Sequence, residues 1–353
     1  MPGHVVEQWS DLLREVSRSF YLTLRVLPAA IRPQIGLAYL LARLTDTIAD
    51  TRLVSVGHRR AALREMQAAI QALAEDRPAQ APDFGDLAAA QEVPTGPGSA
   101  AEKALLENAR ETLEALGALR REDRQRIREL LDTIIRGQET DLVRFGGASS
   151  DRLAALETDN DLEEYTYSVA GCVGEFWTRM CRAHLFAKAE LDDTFLLTNG
   201  IRFGKGLQLV NILRDLPKDL RQGRCYIPRT RLGICGLEPA ALLDAREMGR
   251  FRPLYAGYLE QARGLLGAGW AYTNALPRGQ MRVRLACAWP ALIGVKTLAR
   301  LRAGNVLDDR CRIKVSRAEV RRLMVSSVLC YPNPRAWDRL FAHAGADPRY
   351  WPL

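Results

Sequence analysis

The feature that most constrains this sequence is a helical spacing of apolar residues that continues over almost its whole length. Apolar side chains recur every three or four positions, and the long alternating runs of Val, Ile and Thr that indicate strands are missing from the sequence. The pattern predicts an all-α fold. The predicted helices cover residues 5–25, 31–52, 58–75, 101–117, 121–143, 161–189, 192–216, 250–275, 281–303, 316–330 and 335–343.

Residues 76–100 interrupt this pattern with several prolines and glycines. We expect a flexible Pro/Ala/Gly-rich loop there. A domain boundary is the alternative, but the helices on both sides have one-sided apolar faces that need to be covered. A chain of 353 residues can form one large core or two ordinary domains. We therefore predict a single domain over residues 1–353 that contains this loop.

The charge balance narrows the class of partner. Basic residues outnumber acidic ones by 50 to 42, for a formal net charge of +8, and only six of the 50 are Lys. Arg presents a rigid fork of donors that suits phosphate, although an Arg-rich genome would also explain the excess. Because the arginines are dispersed and form no stripe with interleaved aromatic residues, we expect no nucleic-acid partner.

The cysteines and histidines argue against a metal or disulfide site, and the uncharged runs indicate where in the cell the protein is expected. Seven cysteines without a CxxC pair, and four scattered histidines, predict neither a zinc site nor a disulfide framework. No uncharged run reaches the roughly 20 apolar residues of a membrane span, and the N-terminus lacks a signal-peptide core. We expect a cytoplasmic protein without a transmembrane anchor. Peripheral membrane contact through residues 325–331 is an open alternative, and so is the oligomeric state.

One predicted helix carries a polar stripe on an otherwise apolar surface. This first stripe, spaced by four, three and four residues on one helical face, consists of Tyr39, Arg43, Asp46 and Asp50. Two carboxylates four residues apart repel each other, and more strongly where water is excluded. The pair therefore needs a countercharge from an Arg, a shared proton or a metal ion.

A second apolar helix repeats the arrangement. This second stripe consists of Gln208, Asn211, Asp215 and Asp219. Arg214 lies beside it and Arg224 follows it. Carboxylates on two helices can hold Mg²⁺ together with substrate phosphates, and Arg can bind the same phosphates. The two stripes predict a site that stabilises a departing diphosphate, with a structural Asp–Arg network between helices as the alternative.

Three segments of the sequence resemble the squalene and phytoene synthases. The first is Ser17-Arg18-Ser19-Phe20 followed by residues 46–50, the second is residues 165–174, and the third runs from residue 208 to residue 228. Their order and spacing agree with that family across about residues 15–300. The resemblance implies a class I isoprenoid synthase fold, a single large helical domain around a central cavity.

The resemblance also implies roles for individual residues. Asp46, Asp50, Asp215 and Asp219 would bind Mg²⁺, with Mn²⁺ as a substitute. Tyr165, Arg43 and the four aspartates would be catalytic, with Tyr165 handling a proton or stabilising a cation; a plain aromatic core residue is the alternative for Tyr165. Contacts to the prenyl diphosphates would come from Ser17, Arg18, Ser19, Phe20, Tyr39, Val169, Gly171, Cys172, Val173, Gln208, Asn211, Arg214 and Arg224.

Two features of these segments leave structural questions. Gly171 and Gly174 lower helix propensity by roughly 1 kcal/mol each, which either close helix packing or room for a prenyl chain would explain. Pro217 lacks a backbone donor and disfavours helical geometry in the residue before it. We therefore expect Asp219 not to follow Asp215 by a regular helical turn, which makes Asp215 the safer metal ligand.

The implied reaction is the head-to-head condensation of two farnesyl diphosphates, through presqualene diphosphate, to squalene with NADPH as reductant. The residues predicted to bind NADPH are Asn211, Arg224, Lys314 and Arg317, although the last two also fit a solvated helix start. Release of presqualene diphosphate, or formation of dehydrosqualene or phytoene without NADPH, is the alternative. A non-catalytic assembly factor is a remote one, because all four aspartates are present.

Overall fold

The computed structural model describes residues 10–346 except 18–19, 52, 91–98, 309 and 311–312. Secondary structure in the described residues is almost entirely helical, which confirms the all-α prediction. The helices are α1 (Ser10–Ser17), α2 (Phe20–Val26), α3 (Arg32–Asp50), α4 (Val56–Ala74), α5 (Gly85–Ala90), α6 (Ser99–Glu107), α7 (Ala109–Gly117), α8 (Arg121–Phe145), α9 (Asp159–Thr166), α10 (Cys172–His184), α11 (Asp193–Arg221), α12 (Arg229–Ile234), α13 (Met248–Ala275), α14 (Met281–Ala303), α15 (Arg317–Cys330) and α16 (Pro334–Ala344).

Five shorter elements complete the described secondary structure. A π-helical turn, Tyr167–Gly171, joins α9 to α10, and two 3₁₀ turns, Pro239–Leu243 and Ala245–Glu247, precede α13. Strands β1 (Ala154–Ala155) and β2 (Arg224–Cys225) pair in parallel, with Ala154 opposite Arg224.

Side-chain caps define where several of these helices begin. The Ser55 hydroxyl accepts a hydrogen bond from the His58 amide at 3.2 Å before α4, and the Asp192 carboxylate accepts one from Phe195 at 2.8 Å before α11. Thr158 and Ser316 each form a capping box with an acidic residue three positions later. These caps satisfy backbone donors that the helix itself leaves unpaired.

The chain divides into two compact units. The first comprises Met1–Gly146 and Phe176–Lys188, and the second comprises Gly147–Glu175 and Ala189–Leu353. Helix α10 therefore begins in the second unit and continues in the first. The single domain over residues 1–353 stays a prediction.

The first unit is organised around α3, which packs against α4, α6 and α8. Leu40, Leu41, Leu44 and Ile48 of α3 are at most 1% exposed, so one face of the helix is fully buried. The polar stripe of the same helix is not buried. The helical period thus divides α3 into a core face and a face that carries the site residues.

The second unit is organised around α11, which packs along α13 and against the π-helical turn, while α14 packs on α13. Glycines permit the closest approach. A Cβ atom built on Gly174 would stand 1.9 Å from the Gly200 carbonyl oxygen, and one on Gly204 would stand 2.0 Å from the Ala170 oxygen. Close helix packing therefore explains Gly174.

Most predicted helices are confirmed, with four differences. The prediction over 5–25 covers two helices, 101–117 divides at Asn108, and 161–189 contains the π-helical turn and ends at His184. The fourth difference lies in the loop predicted over residues 76–100. There Asp83 accepts a hydrogen bond from the Gly85 amide at 2.9 Å, and α5 forms with Phe84 and Leu87 buried.

The expected break of the helix at Pro217 is wrong, because α11 continues through it to Arg221. Proline at position 217 removes the amide that would bond to the carbonyl four residues earlier, that of Leu213. The hydroxyl of Tyr255, a residue of α13 that is 1% exposed, donates to this carbonyl at 3.0 Å. The replacement donor satisfies the orphaned group, so Asp219 does follow Asp215 by one helical turn.

Membrane insertion through a helix finds no support in the described residues. None of their helices combines the length and apolar character that crossing a bilayer requires.

Candidate active site

The acidic pair of the first unit lies on α3 and is supported from α8. The Gln138 side-chain amide donates to the Asp46 carboxylate at 2.6 Å and to the Thr45 hydroxyl at 3.1 Å. Gln138 is 8% exposed, and none of the described residues forms a hydrogen bond to its side-chain carbonyl oxygen. This glutamine therefore fixes one oxygen of Asp46 in place, a role that the spacing of α3 alone did not predict.

The environment of Asp46 disfavours its charge. Water reaches the side chain, but the protein surrounding the carboxylate limits its hydration, which raises its pKa to about 6. The negative charge of Asp50 acts in the same direction, whereas Arg43 and the Gln138 hydrogen bond oppose it. The predicted repulsion between the two carboxylates is thus present, and the nearby cation compensates it only in part.

The other members of the first stripe have partners within this unit. Arg43 forms a salt bridge with Glu102 of α6. The Tyr39 hydroxyl donates to the Val16 carbonyl at 3.2 Å. A diphosphate bound by Arg43 would therefore compete with Glu102, a partner that lies 59 positions away and leaves no local signal in the sequence.

The Ser17-Arg18-Ser19-Phe20 segment lies at the junction of the first two helices. Ser17 ends α1 and Phe20 begins α2. Their side chains, and Arg18 and Ser19 altogether, lie outside the described residues.

In the second unit the structure brings Tyr165 to the second stripe. The Gln208 side-chain amide donates to the Tyr165 hydroxyl at 3.5 Å, and Asn211 donates to Gln208 at the same distance. The Tyr165 ring stacks on Tyr226, with centroids 4.5 Å apart. This stacking partner follows β2 and is buried, so the phenol is oriented by an aromatic face and by a hydrogen bond.

Further along α11, Asp215 is bound by its neighbour. Arg214 donates to both Asp215 oxygens, at 2.8 and 2.6 Å, and this pairing raises the pKa of Arg214. This bidentate pair joins two neighbours on one helix, whereas the alternative left open by the sequence is an Asp–Arg network between helices. Because the helix is continuous, the reason for preferring Asp215 over Asp219 as a metal ligand no longer holds.

Four of the residues predicted to contact the prenyl diphosphates lie at the π-helical turn and the start of α10. Val169 is half-buried, whereas the Val173 side chain is 39% exposed. A Cβ atom on Gly171 would stand 2.9 Å from the Tyr167 ring. Cys172 is 5% exposed, and burial raises the pKa of its thiol to about 12. These side chains are therefore apolar, and the buried Cys172 thiol is not a reactive thiolate.

The residues predicted for NADPH lie in three places of the second unit. Asn211 belongs to α11, Arg224 to β2, and Lys314 and Arg317 are exposed at the start of α15. The Lys314 carbonyl accepts a hydrogen bond from Arg300, which also binds both oxygens of Glu319 at 2.8 and 2.7 Å. These bonds fix the beginning of α15 and leave both predicted side chains at the surface.

The acidic residues suit a hard cation by their chemistry. Within the described residues of either unit, no three His, Cys, Asp or Glu side chains gather into a cluster that could hold a metal by itself. The Asp46 and Asp50 pair has the oxygen donors that Mg²⁺ prefers and an incompletely compensated charge. We conclude that this pair fits a cation that also draws ligands from water or a substrate phosphate.

The second unit also contains a cavity of about 660 Å³ that includes none of the predicted site residues. Asp159 and Arg231 form an ion pair on its lining, as do Glu163 and Lys205. Because these charges are paired with each other, the cavity offers no arrangement for the predicted chemistry.

The squalene/phytoene synthase family model matches residues 13–319. The chain is 29% identical over 288 residues to a bifunctional lycopene cyclase/phytoene synthase of Blakeslea trispora. That match covers 80% of this chain and 43% of the relative, so the chain spans less than half the length of that protein.

Solved structures share the fold. A complex of TcSQS with the ligand E5700 superposes with a TM-score of 0.73 at 21% identity, covering 97% of this chain and 96% of that one. A dehydrosqualene synthase complex superposes with a TM-score of 0.62 at 21% identity, covering 92% of this chain and 99% of that one. This likeness confirms the predicted isoprenoid synthase fold. With a family match over residues 13–319, the chain belongs to the squalene/phytoene synthase family.

Proposed function

We propose that this protein condenses two prenyl diphosphates head to head, and that it converts two farnesyl diphosphates through presqualene diphosphate to squalene with NADPH. The observation that carries the proposal is the second stripe, which joins Tyr165 to Gln208 and Asn211 on the helix that also carries Asp215 and Asp219. Membership of the squalene/phytoene synthase family supports the same reaction class.

The acidic residues would hold the cation. Asp46 and Asp50 would bind Mg²⁺ or Mn²⁺, and Asp215 and Asp219 would likewise serve as cation ligands; a bound cation would neutralise charge on a departing diphosphate. Gln138 keeps one Asp46 oxygen in a fixed position. Arg43 and Arg214 have carboxylate partners, so each would exchange a carboxylate for a phosphate oxygen when substrate binds.

Tyr165 would act on the proton that the condensation releases or stabilise the positive charge that precedes it. Phenols ordinarily have a pKa near 10 and are weak bases at neutral pH, so the departing diphosphate would be the final acceptor. The stacked Tyr226 ring and the Gln208 amide hold the phenol in one orientation. Val169, Cys172 and Val173 would give the carbocation a wall without nucleophiles.

The name of the Blakeslea trispora relative favours a second candidate, phytoene synthase. In that reaction the presqualene-type intermediate would lose its diphosphate and then a proton, so no NADPH is needed. Two exposed basic residues at the start of α15, Lys314 and Arg317, support the first proposal, squalene formation with NADPH, because they could bind the phosphates of NADPH.

Product analysis tests the proposal. The purified protein is incubated with Mg²⁺ and either farnesyl or geranylgeranyl diphosphate, with and without NADPH. We expect squalene from farnesyl diphosphate only when NADPH is present. If presqualene diphosphate accumulates in the presence of NADPH, or if geranylgeranyl diphosphate gives phytoene, that compound is the product and the proposal of squalene is wrong. An absence of any condensation product, with an Asp46→Asn variant as the blank, would contradict the enzyme class itself.

A further inference from the structure

The second unit also contains a pocket lined by two arginines, which includes none of the residues assigned to the proposed condensation. It has a volume of about 180 Å³ and lies where the turn between α13 and α14 meets α16. That volume corresponds to about six water molecules in the liquid. Its lining consists of Asn274, Arg278, Arg284, Tyr331, Pro334, Trp337 and Asp338.

Arg284 is the unusual member of this lining. Its residue surface is only 5% exposed, and it forms no ion pair with a carboxylate of the described residues. One guanidinium nitrogen donates to the Asn274 side-chain oxygen at 3.1 Å, while the buried Nε atom has no hydrogen-bond partner within the described part of the chain. A buried cation without an anionic partner is costly, so the protein or a ligand must compensate it.

Aromatic rings compensate this charge in part and also position it. The guanidinium carbon lies 5.5 Å from the Tyr331 ring centroid and 5.4 Å from that of Trp337. Trp337 in turn donates to the Asn274 oxygen at 2.7 Å, so that oxygen already accepts two hydrogen bonds. Cation–π contacts bind the faces of a guanidinium and leave its N–H edge for other acceptors.

The net charge of the lining is positive. Arg278 and Arg284 contribute two cations and Asp338 contributes one anion. Burial lowers the pKa of Arg284, and the charge of Arg278 acts in the same direction while that of Asp338 opposes it. Among the described residues that line this pocket, one positive charge therefore remains in excess.

We propose that this pocket binds a small oxyanion of the phosphate or carboxylate class, with Arg284 and Arg278 as its cationic ligands. Arg284 supplies donors that are held in place by Tyr331, Trp337 and Asn274. Arg278 is exposed at the rim of the pocket and adds a second positive charge, whereas the negative charge of Asp338 weakens the binding of an anion. The site is independent of the proposed condensation, since it includes none of the residues assigned to it.

The test is calorimetric titration of the full protein, without divalent metal, using inorganic phosphate, diphosphate and acetate against chloride at equal ionic strength. The phosphate and acetate arms distinguish the two classes of oxyanion. Arg278→Gln should weaken binding about tenfold, as expected for losing one charged contact. Asp338→Asn should tighten it several-fold. Arg339→Gln, an exposed arginine of α16 outside the pocket, should change nothing.

Arg284→Gln should abolish binding at this site. Because Arg284 is buried, the Arg284→Gln result counts only if a melting temperature shows that the variant folds. If the variant does not fold, the surface variants Arg278→Gln and Asp338→Asn test the proposal. Crystals soaked in selenate should give an anomalous peak beside Arg284. Equal dissociation constants in wild type, Arg278→Gln and Asp338→Asn, or a peak elsewhere only, would overturn the proposal.

Discussion

Asp46 is an acid whose surroundings favour its protonated form, and this has a measurable effect on stability. Its pKa of about 6 lies above the ordinary value of 3.8, so the folded state binds the proton more tightly than the unfolded state does. Stability gained from this proton is present below pH 4 and is lost as the pH rises towards 6. Above pH 6 the ionised carboxylate therefore destabilises the metal-free fold.

Replacing this acid should accordingly stabilise the metal-free protein. In Asp46→Asn the side-chain oxygen can still accept the Gln138 hydrogen bond, while the charge facing Asp50 is gone. We expect a higher melting temperature than wild type at pH 8, by a few degrees, and a difference that shrinks towards pH 4. Thermal scans with chelator measure both. An exposed control, Asp151→Asn, should show no such trend, and a lower melting temperature of Asp46→Asn at pH 8 would contradict the assignment.

Tyr165 gives the second prediction at the scale of single residues. Tyr165→Phe keeps the ring that stacks on Tyr226 but removes the hydroxyl that accepts from Gln208. If this hydroxyl handles the proton, kcat should fall by about 10²-fold or more, the usual contribution of a positioned acid or base. The melting temperature should change little.

A control for Tyr165 lies two residues away. Tyr167→Phe removes a hydroxyl that donates to Glu175 at 3.2 Å. It should leave kcat within about threefold of wild type. Equal losses in both variants would mean that the π-helical turn responds to any lost hydroxyl and that Tyr165 has no special role.

The residue types of the site were predictable from the sequence, but their partners were not. Spacing on one helix predicts that Asp46 and Asp50 share a face, because neighbours on a helix are fixed by its period. Gln138 and Glu102 reach Asp46 and Arg43 through tertiary packing, from 92 and 59 positions away. No period within a single helix encodes such contacts.

At the scale of elements, α11 depends on a side chain from another helix. The Tyr255 hydroxyl donates a hydrogen bond to the Leu213 carbonyl, which Pro217 leaves without its helical donor. Tyr255→Phe should destabilise the fold by about 1–3 kcal/mol, because the buried carbonyl would then be unsatisfied. Denaturant titration measures this free energy of unfolding.

A double-mutant cycle isolates that contact from the general cost of changing a buried tyrosine. In Pro217→Ala the restored amide can bond to Leu213 through the helix. Tyr255→Phe should then cost at least about 1 kcal/mol less than in the wild-type background. Strict additivity of the two changes would show that the hydroxyl does not replace the missing donor.

Local rules thus fail at α11 for a physical reason. Proline statistics describe an isolated helix, whereas the packing of α13 supplies a hydroxyl at the required carbonyl. The π-helical turn is a similar case, since nothing in the spacing of residues 161–189 indicates the extra residue per turn between Tyr167 and Gly171. Both features lie beside proposed site residues, where tertiary contacts override propensity.

For the whole molecule, helical periodicity predicts the all-α fold class and most helix positions, because the apolar faces of helices must be buried in any topology. It does not predict how the chain crosses between units. Residues 1–146 and 176–188 belong together, and helix α10 passes from the second unit to the first between Glu175 and Phe176. This crossing of the chain depends on contacts between residues that are distant in sequence, and a local helical period does not encode such contacts.

This crossing leads to the last prediction. Neither unit is a continuous segment, and unfolding one alone would interrupt α10, in which Phe176 and Met180 are buried. We therefore expect a single cooperative thermal transition, with a calorimetric enthalpy close to the van't Hoff enthalpy. Differential scanning calorimetry tests this, with Met180→Ala as a probe on the crossing helix that should lower the one transition as a whole. Two separable transitions, only one of them moved by Met180→Ala, would show that the units are independent domains.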